Sequence, residues 1–156
     1  MKFSIINIAN KMPKYISDGC NEFIKRINNG KYNCQIIEIK ADKNSNKSAE
    51  INMLNEALKI RERIPKNSFI IVLDERGKIF TSQQFATEIN QIMQIYSHIT
   101  FIIGGADGVH SSLKAQAALV MQLSSFTFPH GLVRVIILEQ LYRAITILDN
   151  HPYHRD

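Results

Sequence analysis

Cysteine is nearly absent from this chain: Cys20 and Cys34 are the only two in 156 residues. They are too few and too far apart for a disulfide framework or a zinc knuckle. Both read as structural residues of a protein kept in a reducing, cytoplasmic setting. No apolar run approaches the ~18 residues of a membrane-spanning helix. The opening "MKFSIINIAN" has one lysine and a short apolar stretch, with no small-residue cleavage site before "KMPKY". It is expected to form a first strand and not a secretory leader. Internal repeats, low-complexity tracts and linkers are missing, so one domain over residues 1–156 is expected. Several catalytic fingerprints are missing as well. There is no G-x-G-x-x-G, no phosphate loop with its Lys-Ser/Thr pair, no G-x-S-x-G, no H-E-x-x-H and no Cys-His signature.

What is present is globular. Hydrophobic residues make up 45% and charged residues 21% of the chain, which is enough apolar surface for a core and excludes wholesale disorder. The net charge of +5 is uneven. Residues 1–66 hold thirteen Lys or Arg against seven acids, a net +6, while residues 67–156 hold six against seven, a net −1. A basic first half points to a polyanion, nucleic acid first, or to a lysine-rich solubilising surface.

Hydrophobic periodicity gives the elements. "KFSIINI" reads as a strand. Pro13 suits the start of a helix through Ile27, with Tyr15, Ile16, Phe23, Ile24 and Ile27 at helical spacing. "YNCQIIEIK" is a second strand and "ADKNSNK" a polar loop. Ser48 caps a helix from Ala49 to Arg63, which Pro65 stops. "SFIIVLD" is a continuous apolar run, as in a strand buried on both faces of a parallel sheet. "ERGK" is expected to turn, "TSQQFATEINQIMQIYS" to be a helix, and "HITFIIGG" another buried strand. A short helix at 111–118, a strand at "ALVMQL" and a long helix over "GLVRVIILEQLYRAITIL" complete the chain. Alternating strands and helices predict an α/β fold, a mostly parallel sheet with helices on both faces.

Three segments carry candidate chemistry. In "FIIGGADGVH" two glycines end a buried strand, where open α/β sheets bind ligands; a plain tight turn is the other reading. In "IVLDERGK", Asp74 and Glu75 either contact a ligand or are solvated turn residues, while the backbone near Leu73 is fixed by the sheet. "LSSFTFPHGLVR" is too apolar for a surface loop and too irregular for a strand. It reads as a buried loop lining a pocket, with His130 either an acid or base or a backbone hydrogen-bonder. The last helix is apolar nearly all round, which predicts burial and, in so small a chain, a homodimer through it. Glu139, Arg143 and Thr146 make a polar stripe on it, either a surface pair or a side chain facing the site. His151 and His154 have no third ligand at suitable spacing, so no metal is expected.

"FIIGGADG", "LSSFTFPHGLVRVIILEQLYRA" and the terminal "HPYHRD" together resemble the SPOUT methyltransferase family, in the branch that modifies a pseudouridine of bacterial large-subunit ribosomal RNA. The resemblance runs the whole length of the chain. It implies a C-terminal deep trefoil knot, which general topology rules would reject. It also implies a pocket for S-adenosyl-L-methionine made by Leu73, Gly104, Gly105, Leu123, Ser124, Ser125, Phe126, Thr127 and Phe128. Ala106, Asp107 and His110 have no assured role in it.

The family chemistry then asks for a site that holds base and methyl in line, stabilises developing negative charge and accepts a proton. Arg143 and Arg155 suit the electrostatic role and His154 the proton, with Tyr153 and Tyr142 positioning the base, or Tyr142 merely packing. The basic first half is left to meet ribosomal RNA phosphates, and the assembled ribosome is the expected partner. "HPYHRD" is expected to reach across the dimer into the neighbour's site, loose without RNA. Competing readings are a doubly wound nucleotide-binding enzyme and a non-catalytic ribosome-binding factor.

Overall fold

A computed structural model describes residues 1–42 and 48–155. Residues 43–47, most of the expected polar loop "ADKNSNK", lie outside the described residues. The elements run β1 (Lys2–Ala9), α1 (Lys14–Ile27), β2 (Asn33–Lys40), α2 (Ala49–Arg63), β3 (Phe69–Ile79), α3 (Ser82–Met93), β4 (His98–Ile103), α4 (Ser111–Gln116), β5 (Leu119–Gln122) and α5 (His130–Leu148). All strand pairs are parallel, in the order β2-β1-β4-β3-β5. The expected α/β architecture and nearly every element boundary are therefore present.

Burial follows strand position. β1, in the interior of the sheet, is buried at seven consecutive residues, whereas β2 at the edge alternates. Phe3 and Ile5 of β1 point into a core shared with α1, α3 and α5. Ile6 and Ile8 point the other way, toward α2 and α4. Helices thus cover both faces, as a parallel sheet requires. Local chemistry sets their ends. Ser48 accepts from the Ile51 amide at 3.3 Å, and Thr81 and Gln84 form a reciprocal capping box, each such cap being worth ~1 kcal/mol.

The "ERGK" segment departs from expectation. It does not end β3 but bulges out of it: Leu73 and Lys78 both face Met121 of β5, and the strand continues to Ile79. A Cβ on Gly77 would stand 2.4 Å from the Met121 carbonyl carbon. Only glycine lets the bulge lie this close to β5.

The last helix also differs in its surroundings. Its inner face (Ile137, Leu138, Leu141, Ala144, Ile145) meets the sheet core, and α1 and α3 flank it. Most of its all-round apolar character is thus covered within the chain. The half-exposed strip that remains holds Leu132, Ile136, Glu139 and Arg143. Thr146, expected on that polar stripe, is buried instead, and its hydroxyl donates to the Arg143 carbonyl at 2.8 Å.

Both cysteines are buried and free. Burial, reinforced by Cys20, pushes the Cys34 thiol up to about 12. Burial raises Cys20 as well, against the opposing charge of Arg134. Protonated thiols of this kind are inert packing groups.

His98, at the start of β4, lies 2.9 Å from the Ser4 hydroxyl. Burial, helped by Lys2, lowers its pKa below the ordinary 6.5. The unfolded chain therefore takes up this proton first on acidification. The stability it contributes is complete above the unfolded value and is lost as pH falls through it. The melting temperature should fall between about pH 7 and pH 5, and His98→Gln should make that fall shallower in thermal melts across the range.

Candidate active site

The bulge of β3 and the C-terminal ends of β4 and β5 open into a cleft of about 860 Å³. That is within the ~300–1,000 Å³ of small-molecule sites, and it lies where α/β sheets bind ligands. Leu73, just before the β3 bulge, and Ile103, the last residue of β4, form its floor, paired in register. The glycine turn after β4 and the run 123–128 after β5 form its walls. All nine residues that the family resemblance assigned to the cofactor line this one cleft: Leu73, Gly104, Gly105, Leu123, Ser124, Ser125, Phe126, Thr127 and Phe128.

The glycine turn is shaped by its own backbone. Gly108 adopts φ +90° and its amide donates to the Gly105 carbonyl at 3.0 Å. This folds the turn back, so that a Cβ on Gly104 would stand 2.3 Å from the Gly108 oxygen. The requirement for glycine at 104 is therefore internal to the turn. Gly105 faces away from this contact: a Cβ there would approach the Glu56 carboxylate and Ile8 at 3.2 Å.

The run 123–128 is not a buried loop, contrary to expectation. Ser125, Phe126 and Thr127 are exposed, and Phe126 keeps 80% of its surface. The physical reason is its place at the rim, where the chain crosses beyond the end of β5. Its backbone is partly fixed, with the Ser124 hydroxyl accepting from the Phe126 amide at 3.0 Å and Gln122 donating to the Ser124 carbonyl at 3.0 Å.

Charged groups on the cleft wall were only half legible. Asp74 is not a solvated turn residue. It pairs with Lys114 at 2.7 Å and accepts from the Arg76 amide at 3.0 Å. Burial alone would raise its pKa, but Lys114 and the Arg76 amide outweigh burial and hold the carboxyl below its ordinary range. Glu75 is exposed. His130 sits at the mouth and also donates from Nε2 to the Ile8 carbonyl at 2.7 Å. A carbonyl only accepts, so Nε2 carries the proton. His110 caps α4 and pairs with Glu50 at 2.9 Å, a structural use.

The four residues expected to be catalytic are elsewhere. Asn150, at φ +55°, closes α5: the His151 amide donates to the Thr146 carbonyl at 2.8 Å and the Asn150 amide to the Ile147 carbonyl at 3.2 Å. This paired Schellman closure reverses the chain and lays the tail back along α5. Tyr153 meets Tyr142 edge-on at 4.8 Å and lies under the Arg143 guanidinium at 4.9 Å. His154 Nδ1 is 3.2 Å from Arg143 Nη1. Arg155 is exposed beside them. The expected loose tail is thus folded onto its own helix.

Glu139 is the residue that sequence reasoning undervalued. Its Oε1 accepts from Arg143 Nε and Nη2 at 3.0 and 2.6 Å and from the Tyr153 hydroxyl at 3.1 Å, while Oε2 accepts from Gln140 at 2.7 Å. The i,i+4 spacing in "EQLYRA" signalled the arginine pair; nothing in sequence signalled the tyrosine. Burial, together with the Glu139 charge, raises the Tyr153 pKa. Arg143 is ten residues beyond the cleft-lining Val133 on α5, about 15 Å along the helix at 1.5 Å per residue. None of Arg143, Tyr153, His154 or Arg155 lines the cleft. Among the described residues no group of three or more His, Cys, Asp or Glu could hold a metal ion, and no helix is long and apolar enough to cross a membrane.

Gly104→Ala should therefore distort the turn from within, costing on the order of 1–3 kcal/mol for overpacking and abolishing ligand binding in the cleft. Thermal melts and calorimetric titration with S-adenosyl-L-methionine check the two effects separately.

Comparison with known proteins agrees with this geometry. A family model described as "Predicted SPOUT methyltransferase" matches residues 1–154. A protein of Neisseria gonorrhoeae (strain NCCP11945) named "Ribosomal RNA large subunit methyltransferase H" is 43% identical over 157 residues, covering 100% of both chains. One of Paraburkholderia phymatum with the same name is 44% identical over 156 residues, covering 99% of each. With a family model spanning nearly all of it and full-length relatives at this identity, the chain belongs to the SPOUT methyltransferase family.

Proposed function

We propose that this protein uses S-adenosyl-L-methionine to methylate the N3 nitrogen of a pseudouridine in bacterial large-subunit ribosomal RNA, as a cytoplasmic homodimer acting on the assembled ribosome. One observation carries the reading. The nine residues of the implied cofactor pocket converge on one cleft, and Arg143, Tyr153 and His154 of the implied transfer site gather in one cluster. The relatives' shared name supports the ribosomal RNA substrate.

The cleft suits the cofactor. Its floor is apolar at Leu73 and Ile103, its rim offers backbone groups, and Glu75 and Asp107 supply carboxylates, while Asp74 is already paired with Lys114. When bound, S-adenosyl-L-methionine supplies a methyl group that is already electrophilic on its sulfonium. What remains for the protein is to orient the base, stabilise the anion formed as N3 loses its proton, and accept that proton.

Arg143 and Arg155 carry the positive charge. Arg143 is already paired with Glu139, which leaves exposed Arg155 the more available of the two for substrate. A guanidinium only donates, so His154 Nδ1 offers its lone pair to Arg143 in the hydrogen bond between them. Taking a substrate proton at that nitrogen requires the ring to leave Arg143. Tyr153 is held by Glu139 with its ring beside Tyr142, a surface on which a base can stack.

Arg143 stands about 15 Å along α5 from the cleft-lining Val133, and no residue of the transfer cluster lines the cleft, so we read the two as meeting across two copies. The half-exposed strip of α5, with the tail folded on it, supplies a face through which a second copy can present its cluster to this cleft. The knot enters here too. After β5 at one edge of the sheet the chain crosses the ends of β3 and β4 and reaches β1, where His130 binds Ile8. We read this crossing as the threading step of a trefoil knot.

Methyl transfer from labelled cofactor to bacterial ribosomes, with the modified nucleoside identified by mass spectrometry, should give N3-methylpseudouridine and little product on short free RNA. Label in protein or in no ribosomal RNA would sink the reading. His154→Ala should lower the single-turnover rate by about 10²–10⁴ with cofactor affinity unchanged; an unchanged rate would remove His154 from the chemistry.

A further inference from the structure

A second, smaller cavity of about 350 Å³ lies at the end of β1 and β2, lined by Ala9, Asn10, Lys11, Glu38 and Lys40. It sits on the α1/α5 face of the sheet, beside the point where α5 begins. Behind it stands Arg134, 2% exposed, which the mechanism above does not use. Its Nη1 donates to the Glu38 carboxylate at 2.5 Å and reaches the Asn7 side-chain oxygen at 3.5 Å. Its Nε and Nη2, and the Asn7 Nδ2, are buried without a hydrogen-bond partner.

The donor and acceptor counts do not match. A guanidinium presents a fork suited to two oxygens at once, and Glu38 fills one prong. Arg134 Nε and Nη2 and Asn7 Nδ2 are left over behind it, and a buried donor without a partner is costly. Two lysine ammoniums stand at the cavity's edge. The single acid, Glu38, is 62% exposed on an edge strand and can swing out to solvent, whereas Arg134, at 3%, cannot. Arg134 and Asn7 do not line the cavity but stand behind Glu38, which does; two lysines and one displaceable carboxylate over a buried guanidinium suit a tetrahedral oxyanion.

We propose that this cavity is a phosphate subsite, in which a backbone phosphate of the RNA substrate displaces Glu38 from Arg134 and is held at the rim by Lys11 and Lys40. The inference rests on the RNA-methyltransferase reading and adds where the RNA backbone is gripped. Lys40 pairs with Ala9 in register, and β1 lies between β2 and β4. The subsite is therefore two strand spacings, roughly 10 Å, from the glycine turn of the cofactor cleft. His130 and Arg134, one helical turn apart, tie both sites to the end of β1. A phosphate bound here would set the register of the RNA beside the cleft and leave the base free to enter it.

The test measures binding to bacterial ribosomes by co-sedimentation without cofactor, alongside methyl transfer. The surface variant Lys11→Ala/Lys40→Ala, whose thermal melt should match wild type, is expected to bind more weakly. Its log–log salt slope should be smaller by about one, for the one phosphate contact that both lysines share. Its KM for ribosomes should rise while kcat and cofactor affinity stay unchanged. Glu38→Gln, which removes the competing charge, should bind ribosomes more tightly. Wild-type binding and salt slope in the double variant would overturn the subsite and leave Arg134 and Asn7 as donors served by internal water. Failure of the wild type to bind ribosomes would overturn it too. Wild-type protein that binds ribosomes in the predicted way but transfers no methyl group would sink the catalytic reading and keep the subsite.

Discussion

The structure depends on how α5 is fastened. At its start, the His130 ring donates to the Ile8 carbonyl and Arg134 reaches Asn7 and Glu38, so the helix is tied to the end of β1. At its finish, the paired closure at Thr146 and Ile147 turns the chain back on itself. Between these points the helix is wedged between α1 and α3 on the sheet. A helix fixed at both ends is a ruler. It holds the cofactor-type cleft at one end and the Arg143–Tyr153–His154 cluster near the other, at a separation the helix rise determines. The proposed need for two copies follows from that fixed length.

Around this ruler the charge is arranged by hydrogen bonding more than by exposure. Glu139 gathers Arg143 and Tyr153 on one oxygen, and Asp74 is kept ionised by Lys114 and the Arg76 amide. Both carboxylates lie in partly buried settings, where an unpaired charge is costly and a paired one fixes geometry. Charge-assisted contacts of this kind set the tail and the cleft wall before any ligand arrives, which is the preorganisation that transfer chemistry rewards.

Much of this was legible in the chain. Periodicity placed all ten elements, because buried parallel strands read as apolar runs and the helices carry their caps at Ser48 and Thr81. The glycine turn, the backbone near Leu73 and the run from Leu123 each read as candidate ligand segments, but their union in one cofactor cleft was legible only through the resemblance, since the meeting of neighbouring strands is encoded by no local pattern. Four features escaped. The bulge at 74–77 looked like a turn, because charge and glycine mark both. The exposure of Phe126 was hidden by its apolar neighbours. Arg134 gave no signal at all, because an arginine inside "LVRVIIL" is indistinguishable from a helix-surface residue until β1 and β2 bring Asn7 and Glu38 to it. The order of the tail was concealed in Asn150, whose left-handed conformation decides where "HPYHR" goes.

The central claim is that one copy's tail completes another copy's cleft. A mixed dimer tests it most directly: one subunit lacks residues 151–156, and its partner carries the full tail with its cleft blocked by Gly104→Ala. The account predicts that this pair transfers methyl groups to ribosomes at about half the wild-type rate per dimer, since one composite site remains, while each variant alone as a homodimer is inactive. An inactive mixed dimer, with both subunits folded and the intact cleft still binding cofactor, would contradict it and show that each tail serves its own cleft.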